Sequence, residues 1–120
     1  MFGGRILNKI SKNCCSTLSK IIKFKKKKSE IDEIMAQIFE SLAKIFDILS
    51  ILDTLIYQKY KSTKEILNYI PIISIQTNLI VLILTTKIKI SKSLKVDIII
   101  IQQIILSVVK GNLMLIKANK

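Results

Sequence analysis

The pattern of apolar and polar positions is most regular between residues 30 and 58. Ile31, Ile38, Ile45 and Leu52 recur every seven residues, and Ile34, Ile48 and Leu55 fill a second position of the same heptad, broken at Ser41. Met35, Leu42, Leu49 and Ile56 form a third row. Seven residues are close to two helical turns, so the rows run along one side of an α-helix. Three rows make a face wider than a two-stranded seam, the width of a helix packed into a domain. Ser29 stands at an N-cap position with Asp32 three residues on, and Glu30 and Glu33 suit the positive end of the helix dipole. The pattern predicts a helix over about 30–59. Its partner-helix face comprises Ile31, Ile34, Ile38, Leu42, Ile45, Leu49, Leu52 and Leu55.

Beyond it, Ser62–Thr63–Lys64–Glu65 reads as a second capping box ahead of Ile66 and Leu67. The stretch from Ile66 to Thr86 is apolar but interrupted by Asn68, Pro71, Gln76 and Asn78. Pro71 either kinks this helix or marks its true start. Ile88, Ile90, Leu94, Val96 and Ile98 alternate with polar residues, which is strand periodicity. Ser91 or Ser93 instead suits the start of a third helix running to Lys110, with Gly111–Asn112 as its stop. Gln102 and Gln103 fit that helix better than a strand, and a β-hairpin turning at 110–112 is the alternative. The expected fold is therefore mainly α, either a small helical bundle or a membrane-associated helical hairpin. An α+β chain with a C-terminal hairpin is the second choice.

Charge divides the chain differently. Residues 1–29 carry nine positive charges and no acid, residues 30–60 sum to −4, and residues 61–120 sum to +7. This suggests a basic arm, 1–29, ahead of a single helical domain, 30–120. Within the arm Arg5, Lys9, Lys12, Lys20 and Lys23 are interleaved with Ile6, Ile10, Leu18, Ile21, Ile22 and Phe24, and the run Lys25, Lys26, Lys27, Lys28 closes it. That is the composition of an interfacial amphipathic helix interrupted at Ser11–Thr17, of a disordered basic tail, or of a mitochondrial presequence with too little arginine.

Composition sharpens the charge argument and also discounts it. The net charge is +12 while half the residues are apolar, and the mean hydropathy is +0.45. A greasy, strongly basic chain suits an anionic membrane or another large anionic partner. Arg5 is the only arginine, and lysine and isoleucine dominate their classes. An A+T-rich coding sequence produces the same bias, so a poorly constrained reading frame without selected function is one alternative. Lysine in place of arginine also argues against base-specific readout of DNA. Two windows, 66–86 and 96–116, are long enough to span a bilayer. The second carries Asp97 and Lys110, and two full spans would put the arm and the basic 87–95 segment on opposite sides, against the positive-inside rule. Peripheral or hairpin-type association avoids that conflict.

Candidate chemistry is sparse. The chain has no histidine, so general acid–base catalysis and a zinc site both lack their usual residue. Glu33, Glu40 and Asp47 are spaced seven apart, roughly 10 Å per step along a helix, too far to share a metal ion. They read as a solvated acidic face, or as a docking strip for a basic segment such as the chain's own arm. Adjacent Cys14 and Cys15 do not form a disulfide framework. Neighbouring lysines are expected to lower their pKa, and the pair is a candidate acylation site. Phe2 rules out N-myristoylation, which needs glycine there. Tyr57, Tyr60 and Tyr69 near Lys59, Lys61 and Lys64 are the only basic–aromatic cluster.

The sequence thus points to a non-enzymatic membrane-associated protein needing neither metal nor cofactor. Arg5, Lys9, Lys12, Lys20, Lys23 and Lys25 to Lys28 are its contacts to anionic lipid, with self-association through residues 31–56 as a further partner. The alternative is a soluble helical oligomer that binds nucleic acid through the same lysines.

Overall fold

The computed structural model describes residues 3–60 and 63–119. Four long helices and one helical turn account for most of them: α1 (Gly3–Lys23), α2 (Glu30–Tyr60), the turn α3 (Lys64–Leu67), α4 (Tyr69–Thr85) and α5 (Lys92–Ala118). No strand forms among the described residues. The chain is a small, mainly α bundle, and the α+β alternative is not what forms.

Side-chain pairs fix the directions of the helices. Ser50 on α2 bonds the Arg5 carbonyl and Asp47 takes Lys12, so α1 and α2 are antiparallel. Asn68 with Asn119, Ser74 with Asn112 and Thr85 with Gln102 make α4 and α5 antiparallel. Asn8 with Ser74 and Ser11 with Asn78 run in the same sense, so α1 and α4 are parallel across the bundle. The ring order is α1, α2, α4, α5, an up-down-up-down arrangement 52 × 21 × 18 Å in extent.

α2 begins as its sequence predicts. The Ser29 N–H donates to the Asp32 carboxylate at 3.0 Å and the Asp32 N–H to the Ser29 hydroxyl at 3.2 Å, a reciprocal capping box. Pro71 is the third residue of α4 and marks its start after the break at Asn68. There a missing N–H costs nothing, because the first turn has no partner for it. The expected box at 62–65 is only partly within view. Ser62 lies outside the described residues, and Thr63 takes the N-cap position of α3 without a side-chain bond.

Three expectations need correction. The helix expected to stop at Gly111–Asn112 continues to Ala118. Gly111 is there for a neighbour: a Cβ on it would meet the Leu7 methyls at 2.9 and 3.0 Å, so its absence lets α1 close on α5. Asn112 turns inward and donates to the Val108 carbonyl and to Ser74. The alternating Ile88 and Ile90 sit in the connection 86–91, half-buried against the core, and form no strand. The polar stretch Ser11–Thr17 does not interrupt α1 either. Ser11 is buried on Asn78, and Thr17 returns its hydroxyl to the Asn13 carbonyl.

The interior mixes large apolar groups with amides. Phe39, Phe46, Leu18, Ile22, Ile105, Val81 and Val108 are fully buried, and so are Asn8, Ser11, Ser74, Asn78 and Asn112. Ser74 is the hub of the polar set: its hydroxyl donates to Asn8 Oδ1 at 2.8 Å and accepts from Asn78 Nδ2 and Asn112 Nδ2. Ser11 extends the chain of bonds by donating to Asn78 Oδ1 at 2.6 Å. Hydrogen bonds offset the cost of burying these amides, with Asn112 Oδ1 alone left unpartnered among the described residues, and they tie α1, α4 and α5 into one register.

Candidate functional site

The outer surface reverses the usual polarity on most of its circumference. α4 exposes Ile72, Ile73, Leu79, Ile80 and Ile83, and α5 exposes Val96, Ile99, Ile100, Ile104, Leu113 and Met114. Glu65–Thr85 and Lys92–Ala118 are each long and apolar enough, by length and composition, to cross a membrane, yet only 33% and 28% of their apolar 18-residue windows are buried. A core helix of this hydropathy is mostly buried; these two are mostly not.

α2 adds a flank to that surface. Of its predicted partner-helix face only Leu42 and Leu49 are buried; Ile31, Ile34, Ile38, Ile45, Leu52 and Leu55 are exposed, with Ile48 and Ile51 beside them. The buried side is instead Met35, Ala36, Phe39, Leu42, Ala43, Phe46, Leu49 and Ser50. The small residues Ala36, Ala43 and Ser50 repeat every seven positions and allow α1 to approach closely. Their row was the signal in the sequence for which side would close. At 100° per residue, Glu40, Asp47 and Ile51 lie on one flank of the Phe39–Phe46 line, and the isoleucines Ile31, Ile38 and Ile45 on the other. The acids face α1, so the isoleucines flank α4, and the apolar surface is continuous over α2, α4 and α5.

α1 forms the remaining, polar side. Arg5, Lys9, Lys20 and Lys23 are exposed along it, and Ile6 is its only large exposed apolar residue among those described. Lys12 pairs with Asp47 at 3.1 Å and Lys23 with Glu40. Two members of the acidic strip therefore dock the chain's own basic segment, the less expected of its two readings. Glu33 stays exposed. The Lys23 ammonium holds the Glu40 carboxyl below the usual carboxylate range. At the turn into α2, the Ser29 N–H, followed by Lys25 at 2.9 Å, does the same for Asp32.

Lys26, Lys27 and Lys28 are exposed and meet no carboxylate among the described residues. Antiparallel helices bring them to the same end of the bundle as Lys87, Lys89, Lys92 and Lys95. Lys26, Lys27 and Lys89 share one groove there. The two basic segments thus lie together, with no conflict of sidedness between them. The opposite end holds Lys59 over the Tyr60 ring at 5.5 Å and an exposed Tyr69, apart from the basic pole. Lys61 of that cluster lies outside the described residues.

Cys14 and Cys15 are free thiols turned into the core. Burial raises both pKa values, Cys15 to about 12 with a further push from Cys14. The lysine effect expected from sequence is absent because the ammonium groups point outward while the thiols point inward. Burial also raises the Asp53 pKa; its carboxylate fills the space a Cβ on Gly4 would need, 2.5 Å away. No cluster of three metal-ligating side chains exists among the described residues. No family model matches this chain, and neither a curated protein nor a solved structure matches it.

Proposed function

We propose that this chain is a non-enzymatic peripheral membrane protein that lies in the plane of an anionic bilayer. Its apolar side, α2, α4 and α5, enters the acyl region, its basic pole meets the headgroups, and α1 faces water. The observation that carries this reading is the large exposed apolar surface of α2, α4 and α5, around an interior that mixes apolar groups with buried amides. In lipid, outward isoleucine costs nothing, and the inward amides find partners within the bundle for every polar atom but Asn112 Oδ1.

The in-plane orientation follows from α1. Its cations extend from Arg5 to Lys20, about 22 Å along the axis. Standing upright, the bundle would hold several of them within roughly 30 Å of hydrocarbon, at a few kcal/mol each. Lying flat, it holds none there.

The test is flotation with vesicles. Lys26→Gln, Lys27→Gln and Lys28→Gln together leave the Lys25–Asp32 pair intact. At about 1 kcal/mol per lysine near a charged surface, they are expected to weaken partition into anionic vesicles roughly a hundredfold. Wild-type binding that is equal on neutral and anionic vesicles, or absent from both, refutes the proposal. The exposed heptad rows of α2 favour a second reading, a soluble oligomer closing over residues 31–56 and binding nucleic acid through the same lysines. That reading leaves the apolar positions of α4 and α5 uncovered, and it predicts a stable oligomer without lipid or detergent.

A further inference from the structure

The connection between α1 and α2 meets that between α4 and α5 at the basic pole, and together they form a groove of about 640 Å³. Its cationic rim is Lys26, Lys27 and Lys89; its walls are Phe24, Ile90 and Leu94. Lys25 also borders it but is neutralised by Asp32. Three ammonium groups from segments some sixty residues apart line one groove with no paired carboxylate among the described residues, an arrangement that favours an anion between them. Beside them Phe24 is 80% exposed, a large apolar ring left in water.

We propose that this groove binds one anionic phospholipid, with its phosphate held by Lys26, Lys27 and Lys89 and an acyl chain lying on Phe24, Ile90 and Leu94. The proposal rests on the membrane reading above and names the lipid class that this pole selects. A free phosphate satisfies the cations but leaves the apolar walls wet. A nucleic acid can stack a base on Phe24, but the aliphatic Ile90 and Leu94 offer no second platform. A phospholipid matches both halves. Its chain also has somewhere to go, because the exposed Ile83 at the end of α4 and Val96 in the first turns of α5 continue the apolar surface away from the groove.

The test is retention of lipid by the full chain in neutral detergent, read by native mass spectrometry with equal phosphatidylglycerol and phosphatidylcholine. The expected result is one phosphatidylglycerol per chain, retained in excess inorganic phosphate. Replacing Lys26, Lys27 and Lys89 with glutamine is expected to lower that retention at least roughly tenfold, and Phe24→Ala to lower it too. Lys117→Gln, an exposed lysine at the opposite end of the bundle and outside the groove, is expected to leave it unchanged. Equal retention of both lipids, displacement by phosphate, or equal loss in Lys117→Gln and Lys27→Gln overturns the site. If flotation on anionic vesicles persists through such a result, only the groove is refuted; if wild-type flotation is absent, the membrane reading falls with it.

Discussion

At the scale of single residues, the most consequential atom is the Ser74 hydroxyl, which receives two amides and satisfies a third. Removing it leaves Asn8 Oδ1 without its donor and takes one of two partners from each of the Asn78 and Asn112 amides, so Ser74→Ala is expected to cost about 1–3 kcal/mol. Ser107→Ala removes only an exposed hydroxyl bonded to the Gln103 carbonyl, and should stay within about 0.5 kcal/mol. Denaturant unfolding of both variants checks the contrast, and equal costs would contradict the polar hub. Cys15 gives a second residue-level prediction. A pKa near 12 leaves almost no thiolate at pH 8, so alkylation of the folded chain should be at least ~100-fold slower than in denaturant. The folded chain holds this proton more tightly than the unfolded one. The thiol's share of stability is therefore complete below pH 9 and is lost as pH rises toward about 12. None of this was legible from Cys14–Cys15 in sequence, where nearby lysines suggested the opposite. Sequence proximity to charge does not say whether a side chain points toward it.

At the scale of elements, α2 shows what periodicity can and cannot decide. The heptad rows and the Ser29–Asp32 pair fixed its existence and its start, because both are local properties of one helix. Which side would be covered depended on a neighbour, and the apolar rows occupy more than half the circumference. The small row Ala36, Ala43 and Ser50 decided it, since α1 closes where side chains are short. Accordingly Phe46→Ala, inside the core, is expected to cost about 3–5 kcal/mol. Ile45→Lys, next to it but exposed, should leave stability in detergent nearly unchanged while lowering flotation with vesicles. Comparable destabilisation by both would mean that α2 is turned the other way. α5 shows the converse: Gly111–Asn112 reads locally as a stop, but contacts with Leu7 and Ser74 keep the helix going. The capping carboxylate also sets the acid limit of α2. Asp32 has a lowered pKa, so its contribution is present above the ordinary carboxylate range and is lost as pH falls through the folded value. Asp32→Asn should flatten that acid-side loss of helicity.

At the scale of the whole molecule, three features coincide: a hydrogen-bonded polar axis, an apolar surface over three helices, and lysines gathered at one pole. The segregation of charge was visible in the sequence as an acid-free stretch ahead of six acids. Its outcome was visible only in part. The acids do meet the basic segment, Asp47 through Lys12, Glu40 through Lys23 and Asp32 through Lys25, and Lys26 to Lys28 remain at the pole for an outside partner, with Arg5, Lys9 and Lys20 exposed along α1. The reversed polarity was hidden because Asn8, Asn78 and Asn112 look like interruptions of apolar helices until their partners are known. The in-plane orientation is tested most directly by the depth of spin labels in anionic vesicles, placed singly at Asn13 on α1, at Ile73 and Ile80 on α4 and at Ile100 on α5. The account predicts that Ile73, Ile80 and Ile100 report similar shallow depths within the acyl region while Asn13 reports water. Water exposure at all four sites, or a depth that changes steadily along α4 from one interface toward the other, would contradict it.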